Sequence, residues 1–233
     1  MKLKPLVLVL SGLFCATAMA ADATTALTTD MDKISYSIGV DLGRNIKKQG
    51  LDLSMPALSK GLEDGYKGSS SLMTDDQMKE VLMNFQKEFI AKRTAEMEQV
   101  AQKNLDAGKA FLENNKKQPG VVTLADGLQY KIITAGKGEK PGPNDTVTVN
   151  YTGKLINGQV FDSSDKQGHP ISFQVNQVIK GWTEVLQLMP VGSTWEVYIP
   201  ADLAYGAQAV GPMIGPNETL IFNIQLLSIE KKK

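Results

Sequence analysis

From Thr74 to Lys117 the chain has no proline and a single glycine, Gly108, in a run rich in Glu, Lys, Gln, Ala and Met. At 1.5 Å of rise per residue this predicts a helix on the order of 60 Å long. Thr74-Asp75-Asp76-Gln77 opens it as a capping box, with acidic residues at the positive end of the helix dipole. No monomeric domain of this size needs such a rod. Its beginning is apolar (Met78, Val81, Leu82, Phe85, Phe89, Ile90), whereas its later part carries only Met97, Val100, Leu105, Phe111 and Leu112. The pattern predicts a stalk, buried at its N-terminal end and largely bare beyond.

Pro119-Gly120 ends the helical pattern and divides the chain. Upstream, Ile34, Ile38, Leu42 and Ile46 repeat every four residues, and Gly50 closes that segment as a C′ residue would. Gly39 and Gly43 within it fit either close packing of a neighbouring helix or simple tolerance of glycine. A second short helix is expected after Ser54, with Pro56 in its first turn and Leu58 and Leu62 on its inner face; Gly68-Ser69-Ser70-Ser71 then forms a turn. These helices hold too few residues for an independent core. Pairing of two copies through residues from roughly 30 to 90 would supply the missing burial, and Met31, Met55, Met73, Met78 and Met83 suit such an adaptable interface as well as they suit plain core.

Downstream, short alternating runs are punctuated by Gly, Pro, Asn and Asp. Val147, Val149 and Tyr151 alternate with Thr146, Thr148 and Asn150, the signature of a strand with one buried face. Ile156-Asn157-Gly158-Gln159 reads as a type I′ hairpin turn. Trp182 to Met189 has helical spacing and stops at Pro190; Trp195, Val197 and Ile199 alternate up to Pro200; Leu220, Phe222, Ile224 and Leu226 form a last strand. The fold class is α+β: an all-α N-terminal dimerisation domain, a long connecting helix, and an antiparallel sheet of about five strands wrapped around one short helix.

The start of the chain reads as a secretory signal. Met1-Lys2-Leu3-Lys4 is a basic n-region, Leu6 to Phe14 an apolar h-region, and Ala18-Met19-Ala20 a cleavage site. Cys15, the one cysteine, lies within it, so the mature chain has no thiol or disulfide chemistry. Cleavage after Ala20 leaves 23 basic against 25 acidic residues, a balance that does not point to nucleic acid. The expected segments are 1–20 signal, 21–74 helical dimerisation domain, 75–117 connecting helix, 118–120 linker, 121–230 β-rich domain and 231–233 basic tail.

The stretches Tyr151-Thr152-Gly153, Phe161-Asp162-Ser163-Ser164 and Val178-Ile179-Lys180-Gly181-Trp182 hold three aromatics (Tyr151, Phe161, Trp182), the pair Val178-Ile179 and the carboxylate Asp162, with no nucleophile, metal cluster or phosphate loop beside them. Such a set cannot do covalent chemistry, but it can hold a compact apolar ring next to a polarised carbonyl. That describes a proline pocket. His169, the lone histidine, sits in the turn Gly168-His169-Pro170 without partners, and Gly136-Lys137-Gly138 lacks the strand-to-helix context of a phosphate loop.

Four runs carry a resemblance: Val149-Asn150-Tyr151-Thr152-Gly153, Gly158-Gln159-Val160-Phe161-Asp162-Ser163-Ser164, Val178-Ile179-Lys180-Gly181-Trp182 and Ala204-Tyr205-Gly206-Ala207. In that order and spacing they resemble an FKBP-type peptidyl-prolyl isomerase domain over residues 121 to about 229. With its signal, helical domain and long helix, the whole chain resembles the macrophage infectivity potentiator group, surface-associated dimeric isomerases of Gram-negative bacteria. The resemblance implies peptidyl-prolyl cis-trans isomerase activity on proline-containing protein clients, no cofactor or metal, and inhibition by macrolides of the tacrolimus and rapamycin type. It also implies an outer-membrane, cell-surface or periplasmic location and a role in virulence or host entry. It places Trp182 as the pocket floor, Tyr151, Phe161, Val178, Ile179 and Phe222 as walls, Tyr205 and Asp162 at the rim, and Ile214 reaching in from the following loop. The Ile179 N–H would meet a substrate carbonyl. Asp162, with Tyr205 and Tyr151, would assist catalysis, although Asp-Ser-Ser after a strand is also a common turn. The chain departs from the family at Gln167 (arginine), Ile171 (aromatic, with Phe173 two residues on) and Val210 (histidine).

Overall fold

In a computed structural model, residues 26–69 and 71–231 are described; the expected signal segment, Cys15 and the last two tail lysines lie outside them. The chain divides into two compact units that meet between Thr74 and Asp75.

In the first unit, α1 (Asp30–Lys48) begins at a capping box in which Thr29 Oγ1 accepts from Asp32 N and Asp32 Oδ2 accepts from Thr29 N. It ends in a Schellman motif: Gly50 takes a φ of 70°, and the N–H groups of Gly50 and Leu51 reach Lys47 O and Ile46 O. α2 (Met55–Lys67) starts after the N-cap Ser54, with Pro56 in its first turn, and stops at Gly68 in the left-handed region. The apolar row of α1 stays open within the chain, with Ile34, Ile38 and Leu42 at 52%, 65% and 44% exposure. Leu62, expected to face inward, is exposed as well. An added Cβ on Gly39 or Gly43 would meet no atom within 4 Å among the described residues.

The second unit opens with α3 (Asp75–Asn115), one helix of 41 residues. Residues 75–100 are exposed apart from the half-buried Met78 and Phe89. Beyond them the expectation of a bare stalk fails. Ala101, Asn104, Leu105, Gly108, Phe111, Leu112 and Asn115 follow helical i, i+3, i+4, i+7 spacing and are all at least partly buried. This stripe lies on the outer face of the sheet. The Phe111 ring is 5.9 Å from that of Tyr198, Leu112 O accepts from Gln129 Nε2 at 3.0 Å, and Asn115 Nδ2 donates to Gln129 Oε1 at 2.9 Å.

The sheet has seven antiparallel strands: β1 (Val121–Thr123), β2 (Gln129–Thr134), β3 (Thr146–Leu155), β4 (Val160–Ser163), β5 (Ile171–Gln174), β6 (Thr194–Ile199) and β7 (Leu220–Glu230). Their order is β1-β2-β6-β7-β3-β4, with β5 in line with β4 along β3. α4 (Lys180–Leu188) starts two residues before the expected Trp182 and packs Trp182, Val185 and Leu186 into the core with Val147, Val149, Val197, Leu220 and Ile224. The β3–β4 turn is not type I′. Of its central residues only Gly158 has a positive φ, 87°; Gly158 N bonds Leu155 O and Leu155 N bonds Gln159 O, a three-residue turn with glycine at the left-handed position.

Candidate active site

β3 turns Tyr151 and Gly153 to the α4 side of the sheet, and β7 places Phe222 opposite Gly153. A Cβ on Gly153 would stand 2.6–2.7 Å from the rings of Phe161 and Phe222, so only glycine lets the two rings meet over the strand. The β3–β4 register shifts between the pairs Gly153–Asp162 and Lys154–Val160, leaving Phe161 as the extra residue. In a regular strand neighbours face opposite sides. The bulge lets the consecutive Phe161 and Asp162 both face the same hollow.

That hollow is a cavity of about 480 Å³ lined by Tyr151, Phe161, Asp162, Phe173, Gln177, Val178, Ile179, Trp182, Tyr205 and Phe222. Nine of the ten residues singled out from sequence are therefore brought together. The exception is Ile214. A two-way backbone bridge to Val210 turns its loop inward, so Ile214 packs into the core at 8% exposure and does not line the cavity. Gln177, which sequence reasoning missed, stands exposed at the rim just before Val178; its place beside that motif was the available signal. Phe173, paired with Val147 on β3, supplies an aromatic to the lining, and Ile171, paired with Val149, does not reach it. Gln167 ends a single 3₁₀ turn (Ser164–Gln167) and is not part of the lining.

Trp182 forms the floor at 4% exposure. Tyr151, Phe173 and Phe222 meet its indole nearly perpendicular, at 89°, 78° and 83°, with centroids 5.3, 5.5 and 5.2 Å away. Edge-to-face pairs contribute about 0.5–1.5 kcal/mol each beyond burial. The indole Nε1–H finds no acceptor among the described residues, so ring packing alone holds the floor in place.

At the rim, the Tyr151 hydroxyl donates to Asp162 Oδ2 at 2.5 Å, and Asp162 Oδ1 accepts from Ser163 N at 2.9 Å. Burial, then the Asp162 carboxylate, holds the Tyr151 phenol well above its ordinary pKa. Burial and the Asp162 charge likewise raise that of Tyr205. Both hydroxyls therefore stay protonated at neutral pH and remain donors. Ile179 is the N-cap of α4, so its N–H lies ahead of the helix, where no intrahelical carbonyl can take it. No Ser, Cys or His lines the cavity, and His169 sits in an exposed turn with its Nδ1 near Pro170 O. Among the described residues no group of His, Cys, Asp or Glu could hold a metal ion.

Comparisons with known proteins agree with this geometry. Residues 137–227 match the family described as FKBP-type peptidyl-prolyl cis-trans isomerase, and residues 31–132 match the domain amino terminal to it. The chain is 59% identical over 231 residues to outer membrane protein MIP of Legionella longbeachae, covering 99% of both chains. The chain belongs to the FKBP-type peptidyl-prolyl cis-trans isomerases. Peptidyl-prolyl cis-trans isomerase Mip of Coxiella burnetii is 46% identical over 212 residues, spanning 91% of this chain and 92% of that one. The crystal structure of FkpA from Escherichia coli superposes with a TM-score of 0.70 at 38% identity, covering 88% of this chain and 99% of that one. This FKBP-type isomerase thus carries, in order along the chain, an N-terminal domain and an FKBP domain.

Proposed function

We propose that the cavity floored by Trp182 turns over X–Pro bonds without covalent chemistry, by binding the twisted amide better than either planar isomer. Resonance holds the amide flat behind a barrier of about 20 kcal/mol, and the planar form is the more dipolar one. A dry aromatic pocket disfavours that dipole relative to the twisted state, which is catalysis by differential binding. The proline ring sits on the Trp182 indole between Tyr151, Phe161, Val178 and Phe222. Ile179 N–H receives the carbonyl that follows the twisted bond, and Tyr205 donates from the rim. Asp162, already oriented by Tyr151, presents its remaining charge to the rotating carbonyl. Gln177 and Phe173 complete the wall. The observation that carries the reading is the convergence of three rings on Trp182 beside the Tyr151–Asp162 pair. Acceleration of Ala-X-Pro-Phe isomerisation in a protease-coupled or exchange assay tests it; unchanged rates in Tyr205→Ala and Asp162→Leu would sink it.

The same pocket is expected to take macrolides of the tacrolimus and rapamycin type. The open apolar residues of α1 and early α3, among them Ile38 at 65% and Leu82 at 65% exposure, support a homodimer through residues from roughly 30 to 90. Export to the periplasm or outer membrane of a Gram-negative cell rests on the leader-like residues 1–20 and on the printed name of the Legionella relative. Among the described residues no helix is long and apolar enough to cross a membrane. A role in virulence or host entry rests on the resemblance alone.

A further inference from the structure

We propose that residues 101–108 of α3 position Tyr205, through a clasp on the loop that follows it whose central residue is Asn217; this rests on the reading of Tyr205 as a rim donor of the pocket. Among the described residues Asn217 is the one non-glycine residue with a positive φ, 57°. Asparagine tolerates that left-handed geometry better than most residues, but it is not adopted without surrounding contacts to fix it. Those contacts run in two directions. The Asn217 backbone N–H donates to Gly206 O at 2.8 Å, and Gly206 directly follows Tyr205. Its side-chain Nδ2 donates to Ala101 O on α3 at 3.4 Å. The helix therefore reaches the residue next to Tyr205 through one intermediary.

Two neighbouring contacts hold the same loop. Asn104 Nδ2 donates to Pro216 O at 2.9 Å. Thr219, 3% exposed, lies so close to Gly108 that a Cβ there would collide with Thr219 Oγ1. Between these contacts the helix and loop do not fill space: a cavity of about 470 Å³ separates Leu105 and Leu112 from Gly206 and Ala207. The loop is thus held at discrete polar and close-packed points, and losing one leaves room for it to move. The same three points account for Ala101, Asn104 and Gly108 on the buried side of the helix, beside Leu105, Phe111 and Leu112.

The test uses the full chain and the Ala-X-Pro-Phe assay. Asn217→Gly keeps the left-handed backbone and removes the side-chain link; Asn104→Ala removes the second. Each is expected to lower kcat/KM roughly three- to tenfold. In a Tyr205→Phe background neither should lower it further, because both act through Tyr205. Gly108→Ala should also slow the enzyme, and Thr219→Ala should restore the rate by removing the colliding oxygen. Gln102→Ala, on the exposed side of the helix, serves as the control at wild-type rate. Amide relaxation at Tyr205 and Gly206 should report added motion in the slowed variants. Wild-type rates in Asn217→Gly and Asn104→Ala alongside a slow Tyr205→Phe would overturn the clasp, as would losses that add fully to that of Tyr205→Phe. A Tyr205→Phe enzyme at wild-type rate would instead overturn the rim role, and the clasp with it.

Discussion

Tyr151 on β3 gives its hydroxyl hydrogen to Asp162 on β4, across a strand pair whose register shifts beside them. With the Ser163 N–H on its other oxygen, the bond fixes the orientation of the carboxylate. It also ties the ring that abuts Trp182 to the charge at the rim, so floor and rim are set together.

Tyr151→Phe keeps the ring and removes the donor. Activity should fall roughly tenfold, about the effect of one charge-assisted hydrogen bond, with the fold retained by circular dichroism. A wild-type rate would show that Asp162 needs no orienting partner.

The Tyr151 phenol titrates higher in the folded chain than in the unfolded one, so the folded state binds more proton once pH exceeds about 10. Its contribution to stability is complete below that pH and is lost as pH rises further. Melting temperatures followed from pH 9 to 12 should therefore fall less steeply in Tyr151→Phe than in the parent.

Glu184 on α4 is pushed up to about 7 by burial and by its bond with Asp126. The folded chain then holds a proton between about pH 4.5 and 7 that the unfolded chain has released, so stability declines across that window as pH rises. Glu184→Gln should be more stable than the parent at pH 8, on the order of 1 kcal/mol once solvent screening is discounted, and equal to it near pH 4. Parallel denaturant curves at both pH values decide the sign.

Removing the indole floor should be costly. Trp182→Ala is expected to destabilise the isomerase unit by about 3–5 kcal/mol and to abolish turnover. Urea unfolding and the peptide assay on the same sample separate the two losses.

A cut at 121 should harm the isomerase more than a cut at 99. It removes Leu105, Phe111 and Leu112 from the outer face of the sheet and exposes Tyr198, a loss of about 2–4 kcal/mol. Calorimetry of residues 121–233 against 99–233 should show melting points apart by on the order of 10 °C. Equal values would mean that the helix end merely rests on the sheet.

The alternation of Val147, Val149 and Tyr151, or of Trp195, Val197 and Ile199, was readable because one face of each strand packs against α4. The pocket was readable because its residues are large, apolar and grouped in short motifs. The buried stripe of α3 was not, since much of it is Ala101, Asn104, Gly108 and Asn115. An eye trained on apolar periodicity passes over contacts made by amides and by a missing side chain. The β3–β4 turn was misread for a related reason: Asn-Gly fits two turn types, and here only Gly158 takes a positive φ. Ile214 looked like a pocket residue by position, but its backbone bridge to Val210 is a pairing that no local pattern announces.

Strand β7 follows the other six strands in the chain and yet lies between β6 and β3. Without its eleven residues the sheet would be two halves, β1-β2-β6 and β3-β4 with β5, each with an unpaired inner edge. Such edges invite pairing with other chains. Phe222 comes with that final strand, so the wall of the pocket is the last part to be made. The pocket is therefore incomplete until the strand that joins the two halves of the sheet is in place.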